Sequence, residues 1–252
     1  MELKRVVVTG VGAITPLGND IPTYWKGLVN GESGAAPITK FDATNFKTQF
    51  ACEVKDWDVS EFLDRKASRK MDLFAQYAVV CSDQALEDAG LAEEDSPVDP
   101  DRAGVIWGSG IGGFQTFMSE ALNFHRSEGI PRFSPFFIPM MISDIAAGHI
   151  SMRYGYRGPN FCTVSACASG TNAMIDAFNY IRLGKADVMV TGGSEAAVTE
   201  GGIGGFNALK ALSTRNDEPA KASRPFDSTR DGFVLGEGGG AIILEEYEHA
   251  VA

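Results

Sequence analysis

Thr163-Val164-Ser165-Ala166-Cys167-Ala168-Ser169-Gly170-Thr171 is the stretch on which the reading of this chain turns. It joins a β-like run, Phe161 to Ser165, to an apolar helical run that starts just after Cys167. A thiol at the first turn of a helix feels unpaired N–H groups and the positive end of the helix dipole. Both favour thiolate over thiol, and thiolate is the nucleophile. The flanking Ala, Ser and Gly residues would let a bulky substrate approach the sulfur. A buried structural cysteine is the alternative. The order strand, small-residue turn, helix has the logic of a nucleophile elbow and favours catalysis.

The helix after Cys167, Ala168 to about Leu183 with Gly184 as its cap, carries a second message. Ala168, Ala173, Met174, Ile175, Ala177, Phe178, Tyr180 and Ile181 cover most of its circumference, and Asn172, Asp176 and Asn179 leave a narrow polar strip. A helix apolar nearly all round is buried on more than one side. One sheet covers one side; the irregular segments, the other helices or something outside the chain must cover the rest.

Outward from this centre the pattern is α/β. Strands are expected at Lys4 to Thr9, Ala103 to Trp107, Phe161 to Ser165, Asp187 to Thr191 and Gly240 to Glu246. Gly10-Val11-Gly12 reads as a turn after the first of them. Helices are expected at Ile21 to Val29, Met71 to Ala89 (ended by Gly90) and Met140 to Arg153, and helical turns follow the Gly108–Gly113 turn to about Arg126. Asn30 to Ser60 is irregular with one possible short strand. Glu94 to Asp101, acidic and with two prolines, reads as a surface loop.

The 252 residues suffice for one or two domains and a sizeable core. Thirty-three acidic against 22 basic residues give a net charge of −11, which speaks against nucleic acid as a partner. No apolar run is long enough to span a bilayer, and Val6 to Val8 is too short for a signal peptide. Cys52, Cys81, Cys162 and Cys167 lack framework spacing and read as reduced thiols in a cytoplasmic protein. Three scattered histidines and no C-x-x-C give no metal site.

Other motifs are weaker. Gly10-Val11-Gly12 lacks the third glycine of a dinucleotide fingerprint, which would fall at Thr15, and no second strand ends in the required acid. Gly108-Ser109-Gly110-Ile111-Gly112-Gly113 lacks the Lys-Ser/Thr of a phosphate loop. Its glycines permit close backbone approach, with Ile111 projecting alone, as suits a packing turn or the end of an apolar pocket. Arg65, Lys66, Arg69 and Lys70 form a basic patch; at helical spacing Lys66, Arg69 and Lys70 share a face. That face is either solvated or a dock for an acidic partner. A thiolate that forms an acyl-enzyme usually needs an acid or base for the next step. His125, His149 and His249 all sit in settings that argue against that role, His149 reading as a core or interface residue.

Together these residues resemble the β-ketoacyl-acyl-carrier-protein synthases. Val164-Ser165-Ala166-Cys167-Ala168-Ser169-Gly170 is similar to that family's nucleophile segment. The likeness runs from Val6-Val7-Val8-Thr9-Gly10-Val11-Gly12 to Glu245-Glu246-Tyr247-Glu248-His249-Ala250. It takes in Gly108 to Gly113, Ser134-Pro135-Phe136-Phe137, Ala211-Leu212-Ser213-Thr214-Arg215, Arg224-Pro225-Phe226-Asp227 and Asp231 to Gly238. It is strongest to the elongating type II condensing enzymes of dissociated bacterial fatty acid synthesis.

The resemblance implies a thiolase-like fold, in which two similar α/β halves stack into five αβαβα layers. Residues 1–252 would be the N-terminal half, with a mostly parallel five-stranded sheet and a last antiparallel strand. The nucleophile helix would meet its counterpart from a C-terminal half that brings two histidines and a lysine. Cys167 would accept the acyl chain, its own N–H serving as one oxyanion donor. Ile111 and Phe206 would line the acyl pocket beside Gly110, and Phe137 would reach the pocket of a partner subunit in a homodimer. Lys66, Arg69, Lys70 and Lys210 would dock the acidic acyl carrier protein. The implied reaction is decarboxylative condensation of malonyl-carrier protein with the Cys167-bound acyl chain, with no cofactor and no metal. Two other readings are a non-catalytic partner subunit resembling the chain-length factors, which replace the nucleophile, and a thiolase acting on coenzyme A, whose nucleophile segment differs.

Overall fold

The computed structural model describes residues 3–93 and 96–252. In chain order the first elements are β1 (Val6–Ile14), α1 (Ile21–Val29), β2 (Ala36–Pro37), β3 (Phe50–Ala51), α2 (Arg65–Ser68), α3 (Leu73–Asp88), β4 (Ala103–Gly108) and α4 (Phe114–Arg126). Then come α5 (Phe137–Met141), α6 (Ile145–Tyr154), β5 (Asn160–Thr163), α7 (Ser169–Arg182), β6 (Val188–Glu195), α8 (Glu200–Ala208), β7 (Gly238–Glu246) and α9 (Tyr247–Val251).

Five strands form one sheet in the order β1-β7-β6-β4-β5, and β2 pairs with β3 apart from it. β4 is parallel to β5 and β6, while β7 runs antiparallel between β1 and β6. This is the α/β class expected, with the last strand as its antiparallel member. Side chains alternate across the sheet. Val105, Trp107, Val188, Val190, Ala241 and Ile243 face α3 and α6, and form the larger core with Phe74, Tyr77, Ala147 and Ile150. Ile106, Met189 and Leu244 face the other way, onto Ala173, Ala177 and Ile181 of α7. A third cluster gathers Ala51, Val198, Ile203, Leu212 and Leu235 beside β3 and α8.

The turn expected at Gly10-Val11-Gly12 is not there. β1 continues to Ile14, and its irregularity is a bulge between Val8 and Gly10. The glycines serve helix packing instead. A Cβ on Gly10 would lie 2.0 Å from the Ala85 carbonyl oxygen, and one on Gly12 2.0 Å from that of Cys81. The strand backbone thus lies directly against α3, which only a residue without a side chain allows.

Other boundaries shift for local reasons. Asp72 caps α3 by accepting from Phe74 N, and it also accepts from the backbone and hydroxyl of Thr116, which ties α3 to α4. The single helix expected over Met140 to Arg153 is two, because Ile142 is extended and the Met141 carbonyl accepts from Gly113 N instead of continuing the helical ladder. The glycine-rich run at 201–205 is helical, with Thr199 capping it through Gly202 N. Its Gly201 backs onto Met118 and Phe114 of α4, where a Cβ would meet atoms at 2.9 and 3.0 Å. Of the acidic loop expected at Glu94 to Asp101, Glu94 and Asp95 lie outside the described residues; Ser96 to Asp101 is irregular. No helix among the described residues is long and apolar enough to cross a membrane.

Candidate active site

β5 ends at Thr163, and the chain turns through Val164 and Ser165 into a 3₁₀ turn, Ala166–Ala168, that runs on into α7. Cys167 therefore sits just ahead of the first α-helical turn, not on it. Ala166 has a positive φ of 52°, in the left-handed region that L residues other than Asn and Asp seldom adopt. Strain of this kind persists where the surroundings fix it. Here Ser169 Oγ accepts from Ser165 N at 2.9 Å and donates to the Ala166 carbonyl at 2.7 Å. Thr163 Oγ1 donates to the Ser169 carbonyl at 2.8 Å, and Asn172 Nδ2 donates to Ser165 Oγ at 2.6 Å. These bonds hold the elbow and present Cys167 to solvent as a free, exposed thiol. The buried structural alternative is excluded for Cys167; Cys81 on α3 fills that role, and burial pushes its thiol well above the ordinary range.

Small residues let the elbow sit over the strand ends. A Cβ on Gly108 would lie 2.4 Å from Gly170 N, and one on Gly193 3.0 Å from Gly170 Cα. Next to it is the loop Ser109–Gly113. A Cβ on Gly110 would approach the Ala166 carbonyl oxygen to 3.4 Å, so Gly110 borders the elbow.

That loop points three successive N–H groups at one carboxylate. Glu195, at the end of β6, accepts from Gly110 N at 2.6 Å, Ile111 N at 3.0 Å and Gly112 N at 3.2 Å, and from Ser109 Oγ at 3.2 Å. The anion-binding geometry sought in a phosphate loop is present but occupied by the chain's own acid. Burial pushes the Glu195 carboxyl up, against the pull of these bonds. The sequence reading missed Glu195; an acid closing the apolar run Val188–Val190 after two glycines is the available signal.

Ile111 is exposed at the tip of this loop and, with Gly113, Phe114, Phe117, Met141, Ile142 and Ser143, lines a cavity of about 330 Å³. Phe137 lies on α5 in a stacked run, Phe124 against Phe133 at 5.4 Å and Phe133 against Phe137 at 5.6 Å. Phe206 belongs to the third cluster, edge-on to Phe233 at 5.3 Å. Neither Phe137 nor Phe206 lines the Ile111 cavity.

Arg65, Lys66, Arg69 and Lys70 converge with Phe136 around a second depression, of about 430 Å³. They do so by a route other than the shared helix face expected. α2 ends at Ser68, and Lys70 lies 5.1 Å from the Phe136 ring centre. Lys210 is apart from them, exposed just past the end of α8 with a φ of 56°. The histidines are also elsewhere. His249 contacts Glu245 at 2.7 Å, His125 lies in the last turn of α4, and His149 is half-buried on α6 with burial lowering its pKa.

The outer side of α7 is open. Ile175 is 50 % and Phe178 39 % exposed, while Ala173, Ala177 and Ile181 are buried against the sheet. Among the described residues nothing supplies the second wall that the all-round apolar pattern asks for.

The chain is 50 % identical over 252 residues to the 3-oxoacyl-[acyl-carrier-protein] synthase 2 of Synechocystis sp., all of this chain matching 60 % of that one. A β-ketoacyl synthase from Burkholderia phymatum superposes with a TM-score of 0.88 at 33 % identity, over 99 % of this chain and 60 % of that one. A type II polyketide ketosynthase, solved in complex with its acyl-carrier protein, superposes at 0.87 and 31 % identity, again over 99 % and 60 %. The chain thus spans about 60 % of the length of the relatives it matches. Residues 3–250 match the N-terminal domain of β-ketoacyl synthase, and the chain belongs to that family.

Proposed function

We propose that this chain is the nucleophile-bearing half of a 3-oxoacyl-[acyl-carrier-protein] synthase that elongates fatty acyl chains in the cytoplasm. The observation that carries the reading is Cys167, a free and exposed thiol at a strained elbow where β5 passes into α7. Its sulfur attacks the carbonyl of an acyl chain on the carrier's phosphopantetheine thiol. The oxyanion that develops is met by the Cys167 N–H, and collapse expels the carrier thiol and leaves an acyl-Cys167 thioester. Malonyl-carrier protein then loses carbon dioxide. The enolate so formed attacks the thioester, making the new carbon–carbon bond and returning the Cys167 sulfur. No histidine hydrogen-bonds to the elbow residues among the described residues, which accords with the acid–base groups of the second step coming from a C-terminal half. Residues 1–252 are then the first of two similar α/β halves, and the open side of α7 is where the halves meet.

In this reading Gly110, Ile111 and Phe206 shape the acyl pocket, and Phe137 reaches a partner subunit's pocket in a homodimer. Lys66, Arg69, Lys70 and Lys210 receive the acidic carrier. The convergence of Lys66, Arg69 and Lys70 around one depression beside Phe136 supports this role, as does the carrier complex known for the polyketide relative. A chain-length-factor-like subunit is the other reading, and the retained Cys167 speaks against it.

The test is acylation in the intact protein. Acyl-carrier protein should add the mass of the acyl group to the parent protein, and Cys167→Ser should abolish the addition. Undiminished acylation of the Ser variant would overturn the nucleophile assignment.

A further inference from the structure

We infer that Glu195 is a positioning residue for acyl-chain length, holding the Ile111 end of the acyl pocket through the backbone of Ser109–Gly112. The inference rests on the condensing reading and deepens it. Ile111 itself has a side chain that is 42 % exposed, so its placement depends on how its backbone is held. Its backbone is held on the elbow side by its own N–H and those of its two neighbours, all donated to Glu195 at 2.6 to 3.2 Å, and on the α5 side by the Gly113 N–H donated to the Met141 carbonyl at 2.9 Å. Ser109 Oγ completes the set, donating to Glu195 and accepting from Gly112 N at 3.0 Å. Four donors on two oxygens suit a carboxylate, and bonds to an ionised acceptor are about twice as strong as neutral ones.

The geometry is particular to Glu. Glutamine would turn an NH₂ group toward donors that need an acceptor, leaving at least one loop N–H unsatisfied. Aspartate at the end of β6 would be one methylene short. The same loop leads directly into Phe114 and Phe117 of α4, the next walls of the Ile111 cavity. Glu195 thereby joins the elbow side of the site, through Gly110 beside the Ala166 carbonyl, to the pocket side, without lining the cavity itself.

The experiment compares the intact parent protein with Glu195→Gln and with the milder Ser109→Ala. Butyryl- and palmitoyl-carrier protein serve as donors, acyl-Cys167 is read by intact mass, and hydrogen exchange is followed in the peptide spanning Gly110–Gly112. Glu195→Gln should speed exchange of those amides and move the palmitoyl-to-butyryl rate ratio toward one by about tenfold, the scale on which an apolar pocket discriminates lengths. Ser109→Ala should move both readouts the same way by less, and it decides the matter if Glu195→Gln does not fold. An unchanged ratio overturns the inference, whether overall acylation falls or not, and so does unchanged exchange. If the parent protein takes no acyl group on Cys167 from either donor, the condensing reading falls and this inference with it.

Discussion

The two faces of the central sheet are built to different degrees of completion. On one, α3 and α6 bury Phe74, Tyr77, Trp107 and Ile150 to 1 % exposure or less. On the other, α7 buries a stripe of Ala173, Ala177 and Ile181 and leaves Ile175 and Phe178 facing outward. The closed face is scaffold, and its Cys81 is fully buried. The open face begins at Cys167, the proposed nucleophile, which stands at the entry to the helix whose outer side has no second wall among the described residues. The exposed thiol and the open helix side thus share one element.

The largest expression of this difference is thiol access. Alkylation of native protein by iodoacetamide should label Cys167 first. Cys81, buried behind α3 with its thiol pushed up by burial, should react at least about a thousandfold more slowly, since it must wait for an opening that costs about 5 kcal/mol or more. Peptide mapping over a time course checks this, and comparable labelling of the two would erase the contrast between the faces.

Truncations sharpen it further. Trp107→Ala removes a fully buried indole whose N–H donates to Ser194 Oγ at 3.0 Å, and should cost about 3–5 kcal/mol in denaturant unfolding. Ile181→Ala, on the inner stripe of α7, should cost about 2–5 kcal/mol. Ile175→Ala, one and a half turns away on the outer side, should cost no more than about 0.5 kcal/mol when this chain is measured alone. A large loss at Ile175 would mean that the outer side is already covered.

Gly10→Ala probes the closed face from its backbone side. The new methyl would press on the Ala85 carbonyl, so strand and helix must part, at a cost of about 1–3 kcal/mol. This position shows why some of the fold was legible in the sequence and some was not. Strand and helix identities followed from periodicity, and the elbow followed from small residues around a cysteine between a strand and a helix. Gly10-Val11-Gly12 misled because a glycine pair reads as a turn, and only the tertiary approach of α3 reveals its use. Glu195 escaped for the same reason: its three N–H partners lie more than eighty positions earlier, so no local pattern joins them. The basic patch was legible as charge but not as shape, since Phe136, which lines its depression, comes from a distant segment.

A smaller effect than that of the core truncations is expected where the open-face helix is pinned at its far end. Arg102 donates to both Asp187 oxygens, at 2.7 and 2.8 Å, and to the Gly184 carbonyl at 3.1 Å just beyond α7. The guanidinium holds the Asp187 carboxyl below its ordinary range. A carboxyl whose pKa is lower in the folded state stabilises the fold above its unfolded pKa of about 4, and that contribution drains away as pH falls through the folded value. Both side chains are about one-third exposed, so solvent screens the pair despite its two-point geometry. Asp187→Asn should therefore cost about 1 kcal/mol at neutral pH, and the gap to the parent protein should close below about pH 4. Amide exchange at the C-terminal turn of α7 should quicken in the variant while that of α3 stays as it was. Equal quickening in both helices would place the pin under the whole sheet instead of under its open face.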